Sequence, residues 1–392
     1  TLDSSYEGQV WYNSTTGTLK SVVAGIEAWS SSAPLINIKA RFTQGGVGTK
    51  TSALAVGGQD PAGVQTQTEE YDGTGWSAGG ALGSGRYGIY TAGTQTAGLA
   101  ASGSTSSTPG VTANVEEYNG SSWSEVNNVT TARFLGSSCG TQTAGLIYGG
   151  AGPNNQTEEY DGTNWTNGGN LNTARNTGFS SGTQTAGLIS GGGPGSGNTA
   201  ASEHYDGSSW TTVNSMNTAR RSGSPSIAAL RTSSLAFGGF TTVMVANTEA
   251  YDGTTWTNSP TLGTARYGLG GAGDSSGSAL AFGGQNNGGT TYSLTEEFTK
   301  SINTITAAAW SSGGAYPTAT DDPGSAGTRT AGLVFSGQTP APAVTQATNE
   351  YDGSTFSSGG NTVVGRGFMA GLGTQTAAVG VGGAPSFIAN SE

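Results

Sequence analysis

Internal repetition constrains this chain more than any other feature. The clearest copy of the repeated unit runs from Thr131 to Trp165. It reads Thr131-Ala132-Arg133, then Gly140-Thr141-Gln142-Thr143-Ala144-Gly145-Leu146-Ile147-Tyr148-Gly149-Gly150, then Thr157-Glu158-Glu159-Tyr160-Asp161-Gly162, and closes on Trp165. The Tyr-Asp-Gly signal recurs at Tyr71, Tyr118 (with Asn119 for Asp), Tyr160, Tyr205, Tyr251 and Tyr351, and Phe298 takes the remaining slot. An aromatic follows five residues later at Trp76, Trp123, Trp165, Trp210, Trp256 and Phe356; after Phe298 the gap is twelve, ending at Trp310. Ten residues beyond these aromatics stand Arg86, Arg133, Arg175, Arg220, Arg266 and Arg366, with Thr320 in that place after Trp310. A period of ~40–50 residues carrying several strand-like runs is that of four-stranded propeller blades.

Each unit holds four strand candidates. The first starts at the Arg, and the second ends in Gly-Gly or a near match such as Ser102-Gly103 or Ser336-Gly337. The third is Thr-Glu-Glu-Tyr, and the fourth begins at the Trp. Thr-Gln-Thr, as at Thr94-Gln95-Thr96 and Thr141-Gln142-Thr143, marks the turn between the first two strands. Asp-Gly marks the turn between the last two, with Gly supplying a positive φ. No stretch sustains a 3.6-residue apolar period, so almost no helix is expected. The expected fold is all-β: a propeller of eight four-stranded blades starting near Arg41, Arg86, Arg133, Arg175, Arg220, Arg266, Thr320 and Arg366, with seven blades as the alternative.

The ends suggest how the ring closes. The Arg366 unit stops at Ile388-Ala389-Asn390-Ser391-Glu392, where its outer strands should follow. Glu27-Ala28-Trp29-Ser30 resembles a blade-terminating Trp strand with no inner strands upstream. Joining the two would complete an eighth blade across residues 29–392 and remove exposed strand edges. Residues 1–28 hold two strand-like runs, Gln9–Asn13 and Thr18–Val23, around a polar turn at Ser14–Gly17. They read as a hairpin that either forms an outer strand of the closing blade or serves as an attachment element.

The unit of Arg, Gly-rich strand, Gly-Gly, Glu-x-Tyr-Asp and Trp resembles the kelch repeat. That resemblance implies a β-propeller. The Thr/Gly/Asn-rich copies, with Gly-Thr-Gln-Thr-Ala-Gly and Thr-Glu-Glu-Tyr-Asp-Gly, are similar to repeat proteins of marine bacteriophages. The opening Gly8-Gln9-Val10-Trp11-Tyr12-Asn13-Ser14-Thr15-Thr16-Gly17 resembles short hairpins of phage tail and fibre proteins. These resemblances imply a virion component, a fibre or surface decoration, whose partners are other virion proteins, a host-surface receptor or a glycan. An intracellular kelch-like adaptor is the alternative.

Composition removes several function classes. Net charge is −11, with ten Arg and four Lys scattered singly, which argues against nucleic acid and anionic membranes. No run approaches the ~18 apolar residues of a membrane span, and Thr1 onward does not read as a signal peptide. Cys139 is the single cysteine, so no intrachain disulfide forms. Few lysines and an acidic balance suit an exposed, protease-facing location better than the cytoplasm.

No residue set points to catalysis, a cofactor or a metal. A copper centre would need His, Tyr and Cys ligands together, and the one histidine, His204, sits in a Glu slot of the repeat. The pairs Glu69-Glu70, Glu116-Glu117, Glu158-Glu159 and Glu296-Glu297 invite comparison with glycosidase carboxylates. Neighbours on a strand point to opposite faces, so the two cannot act on one bond. The recurring arginines could form an anion-binding ring; the simpler expectation is that each pairs with a blade Glu, and that the Thr320 unit lacks the pair. Cys139 is expected to be a small buried residue. Any binding is expected to use the variable loops after Gly-Gly: Gly103–Asn114, Ala151–Gln156, Gln285–Leu294 and Gln338–Thr348.

Overall fold

The computed structural model describes residues 10–13, 18–21, 27–42, 46–106, 110–152, 154–195, 197–228, 230–300, 306–308, 314–317, 319–339, 343–384 and 391. Among them there is no helix. Seven four-stranded antiparallel sheets carry the repeat. The chain divides into two compact units, one of residues 1–7 and 23–304, the other of 8–22 and 305–392.

The first unit contains six of these sheets. Sheet I is Gly46–Thr49, Ser52–Val56, Thr68–Tyr71 and Trp76–Ala78; sheet II is Tyr90–Thr94, Ala97–Ala101, Val115–Tyr118 and Trp123–Val126. Sheet III is Ser137–Gly140, Gly145–Tyr148, Thr157–Tyr160 and Trp165–Asn167; sheet IV is Phe179–Thr183, Ala186–Ser190, Ser202–Tyr205 and Trp210–Val213. Sheet V is Ser224–Pro225, Ser234–Phe237, Thr248–Tyr251 and Trp256–Ser259; sheet VI is Gly270–Ser275, Ser278–Phe282, Thr295–Lys300 and, from the N-terminal side, Glu27–Ser32.

The second strands are buried almost throughout, as in Ala53-Leu54-Ala55-Val56, because each sheet has a neighbour on both faces. Every gap between consecutive sheets, including that between VI and I, holds its own apolar cluster. Every gap also receives one tryptophan from an outer strand: Trp76, Trp123, Trp165, Trp210, Trp256 and Trp29. The first strands pack in succession, and Gly270–Ser275 of sheet VI packs on Gly46–Thr49 of sheet I.

A second cycle runs through the backbone. The residue two places after each buried cation has φ between +51° and +63°: Gly88, Leu135, Thr177, Ser222, Gly268 and, at +56°, Arg41. Their peptides are joined by hydrogen bonds in which Gly88 N–H donates to Arg41 O (3.1 Å), Leu135 to Gly88 (3.0 Å), Thr177 to Leu135 (2.7 Å), Ser222 to Thr177 (3.0 Å) and Gly268 to Ser222 (2.7 Å). Phe42 N–H donates to Gly268 O at 3.2 Å and returns the series to its start. The six sheets form a propeller-like cycle.

Two expectations are corrected here. Trp29 terminates the Phe298 sheet and not the Arg366 unit, because Glu27–Ser32 pairs with Thr295–Lys300 in the register Phe298↔Trp29. That is the register of Tyr251↔Trp256 in sheet V, where a five-residue spacing permits a tight turn. Phe298 has no Trp at that spacing, and the N-terminal strand takes the slot; Trp310 lies outside the described residues. The first repeat also begins two residues earlier than expected. Lys39, 0% exposed, occupies the buried cation position, and Arg41 takes the left-handed position that Gly88 and Leu135 take elsewhere.

In the second unit, a seventh four-stranded sheet comprises Gly324–Thr328, Ala331–Phe335, Thr348–Tyr351 and Phe356–Ser358. The Arg366 unit contributes the hairpin Ala370–Thr374 and Ala377–Val381, which packs on the strand Gly324–Thr328. Val381 bridges to Ser391 in the place where Phe335 faces Thr348, the start of a third strand. The expected N-terminal hairpin is present as Val10–Asn13 paired with Thr18–Ser21, joined by Thr306–Ala308. Its expected turn, residues 14–17, lies outside the described residues.

The Gly-Gly marks have a steric reason. Both residues lie at positive φ, for example Gly191 at 63° and Gly192 at 97°. A Cβ on Gly191 would stand 2.6 Å from the Arg220 carbonyl oxygen. Where Ser102 replaces the first glycine, its hydroxyl donates to the Arg133 carbonyl at 2.6 Å, so the intruding side chain is turned into a hydrogen bond.

Candidate functional site

The groups most able to do chemistry are those repeated in every unit, and the fold gives each a partner. The first Glu of Glu-Glu-Tyr forms an ion pair with the buried cation of its own repeat: Lys39–Glu69 at 2.9 Å, Arg86–Glu116 at 2.5 Å and Arg133–Glu158 at 3.1 Å. The pairs Arg175–Glu203, Arg220–Glu249 and Arg266–Glu296 repeat the contact. The same carboxylates also accept loop N–H groups, as from Thr130 to Glu158 (2.7 Å) and Asn172 to Glu203 (2.8 Å). Such satisfaction is what lets an ion pair remain inside a protein. Burial lowers the pKa of Arg86, Arg175, Arg220 and Arg266, and the paired glutamates oppose the shift. The Thr320 unit lacks both members, as expected. Asn349 stands in its Glu slot, and its amide donates to the Tyr316 hydroxyl at 3.1 Å.

The second Glu points the other way and serves the next sheet. The hydroxyls of Tyr118, Tyr160 and Tyr205 donate to Glu70, Glu117 and Glu159 at 2.5, 2.9 and 2.5 Å, and Tyr71 donates to Glu297 at 2.5 Å. His204, in this slot of sheet IV, meets the Tyr251 hydroxyl at 3.1 Å. Burial, helped by the Arg231 charge, lowers its pKa. In sheet V the slot is Ala250, and the facing residue of sheet VI is Phe298, which has no hydroxyl. Donor and acceptor are lost together. Adjacent glutamates thus face separate partners, and no pair presents two carboxylates to one bond.

Two further repeated contacts are structural. The Gln of Thr-Gln-Thr spans to the preceding sheet: the Gln142 amide donates to the carbonyls of Gly98 (3.1 Å) and Tyr118 (2.7 Å), and Gln95 and Gln184 do likewise. Indole N–H groups of Trp29, Trp76, Trp123 and Trp210 donate to the threonine hydroxyls of Thr248, Thr295, Thr68 and Thr157 at 2.9–3.0 Å. Cys139 is fully buried, and burial pushes its thiol up to about 12. Among the described residues no group of three or more His, Cys, Asp and Glu could hold a metal ion.

What remains free of these duties is the face carrying the loops after Gly-Gly. Bridges pair those loops with the residue after five of the six buried cations: Ala40↔Gln59, Tyr87↔Ser104, Asn176↔Gly193, Arg221↔Phe240 and Tyr267↔Gln285. Both loop sets therefore share one face. The opposite face carries the Asp-Gly and Thr-Gln-Thr turns. There Asp72, Asp161, Asp206 and Asp252 are exposed, each held below the usual carboxylate range by hydrogen bonds from the turn, Asp206 to about 2.

Sequence reasoning placed the Arg–Glu pair and the tryptophans of sheets I to V; it put Trp29 on the wrong unit and missed Lys39, the glutamine clamp and the Tyr–Glu contact. One signal was available: the unit whose second-Glu slot holds an apolar residue, Ala250, precedes the unit without a tyrosine hydroxyl, at Phe298. Another was the recurrence of Gln in a turn whose backbone does not require it. Neither a protein-family model nor a curated protein sequence matches the chain.

Proposed function

We propose that this chain is a non-enzymatic structural and binding module displayed outside the cell, a fibre or surface-decoration component of a bacteriophage virion, engaging its partner through the loop face. One observation carries the reading. The repeated polar groups are consumed in holding sheet to sheet, while the loops after Gly-Gly differ in length and composition on a constant frame. The kelch and phage-repeat resemblances of the sequence supply the virion context.

Burial of the cations suits that setting. Six of the ten arginines and Lys39 of the four lysines are buried, which leaves few sites for trypsin-like proteases. The test is fractionation of the native source. Banding of the chain with particles on a density gradient is the expected result. Recovery in a soluble intracellular complex would overturn it and favour a kelch-like adaptor.

A further inference from the structure

The loop face of the six-sheet unit differs from the opposite face in charge. Among the described residues of the loops that reach it, 32–42, 57–67, 78–88, 103–106, 110–114, 126–135, 150–152, 154–156, 167–177, 192–195, 197–201, 213–222, 239–247, 259–268 and 284–294, the one carboxylate is Asp60. Its Oδ1 already accepts the N–H groups of Ala62 (2.7 Å) and Gly63 (2.9 Å). The exposed aspartates of the Asp-Gly turns lie on the other face. Two arginines outside the buried ion pairs stand on the loop face. Arg41 is exposed because Lys39 took the buried slot, and Arg221 follows the buried Arg220.

Each of these guanidiniums lies against an aromatic ring, Arg41 over Tyr87 at 5.7 Å and Arg221 over Phe240 at 5.6 Å. The rings continue into neighbours: Tyr87 meets Phe134 edge-on at 5.9 Å, and Phe240 meets Tyr267 at 5.7 Å. Phe134, Phe240 and Tyr267 are half-buried, so each keeps part of its ring accessible. The face thus offers planar cations and flat apolar surfaces. A carboxylate or sulfate matches the guanidinium fork, and the apolar face of a sugar ring matches an aromatic.

We propose that this face binds an acidic oligosaccharide, with Arg41 and Arg221 taking its anionic groups and Phe134, Phe240 and Tyr267 taking its ring faces. The proposal rests on the reading that the loop face is the partner-binding face. Two cations, Arg41 exposed and Arg221 half-buried, are too few to hold a nucleic-acid backbone on a chain of net charge −11.

Calorimetric titration of the full chain at low salt tests it, with oligogalacturonate, a sulfated heparin-derived oligosaccharide and neutral maltohexaose as probes. At least one acidic probe is expected to bind ~10-fold tighter than maltohexaose, and R41Q/R221Q to lose about that factor with an unchanged unfolding midpoint. The carboxylate and sulfate arms tell which anion is read. Single Lys substitutions, which keep charge and lose the fork, should fall between, and they serve if the double variant fails to fold. Equal binding of acidic and neutral probes, or acidic binding untouched by the substitutions, overturns the proposal while leaving the loop-face reading in place. Binding that maps to the Thr-Gln-Thr turns overturns both.

Discussion

Sheets V and VI lack the Tyr–Glu contact that joins other neighbours, and this makes the contact's worth measurable. Ala250 and Phe298 are 8% and 0% exposed and share one apolar cluster. Phe298→Tyr alone places a hydroxyl where no carboxylate waits, at a cost of ~1–3 kcal/mol. Ala250→Glu alone buries a carboxylate without its donor and should cost ~3 kcal/mol. Together they recreate the pair that Tyr118 and Glu70 form at 2.5 Å. A hydrogen bond to a charged group contributes ~1.5–3 kcal/mol, and both unpaired penalties disappear. The double variant should therefore be more stable than the sum of the singles by at least ~2 kcal/mol. Urea unfolding of the four proteins in a double-mutant cycle, read from midpoints at constant slope, gives the coupling. A coupling below ~0.5 kcal/mol would show that the paired loss of Glu and hydroxyl is coincidence and that the other Tyr–Glu contacts do not join the sheets.

The tyrosines of these contacts predict alkaline unfolding. Burial and the neighbouring carboxylates raise Tyr71 and Tyr118 to about 12, above the ~10 of an unfolded chain. Their contribution is complete below pH ~10 and is lost as pH rises toward 12. Tyrosinate absorbance should rise cooperatively with loss of structure; smooth ionisation near pH ~10 in a still-folded protein would contradict the burial. Trp29 is the tryptophan of the gap between sheets V and VI, 5.0 Å from Phe237 and 5.2 Å from Phe298. Trp29→Ala should cost ~3 kcal/mol in denaturant melts, and a loss below ~1 kcal/mol would mean that Glu27–Ser32 does not hold the outer edge of sheet VI.

The repeat alone determined the strand content, the four-strand unit, the turn positions and the Arg–Glu pair. Each is a local or within-unit property, set by alternation, by glycines that must take positive φ, and by a charge that must be neutralised where it is buried. Arg41 and Lys39 show the limit. Both are cations near the right spacing, and only the left-handed backbone at Arg41 decides which one turns inward. The sequence pointed Trp29 to the Arg366 unit and Trp310 to the Phe298 unit, although Phe298 has no aromatic at the five-residue spacing of the other units. An edge strand recognises its neighbour through backbone hydrogen bonds that any sequence can make, so the choice falls to tertiary packing. In this fold, Trp29 fits between Phe237 and Phe298 and donates to Thr248, which completes the sixth gap. The glutamine clamps and Tyr–Glu contacts join residues of adjacent sheets, and their partners come together only once those sheets are stacked.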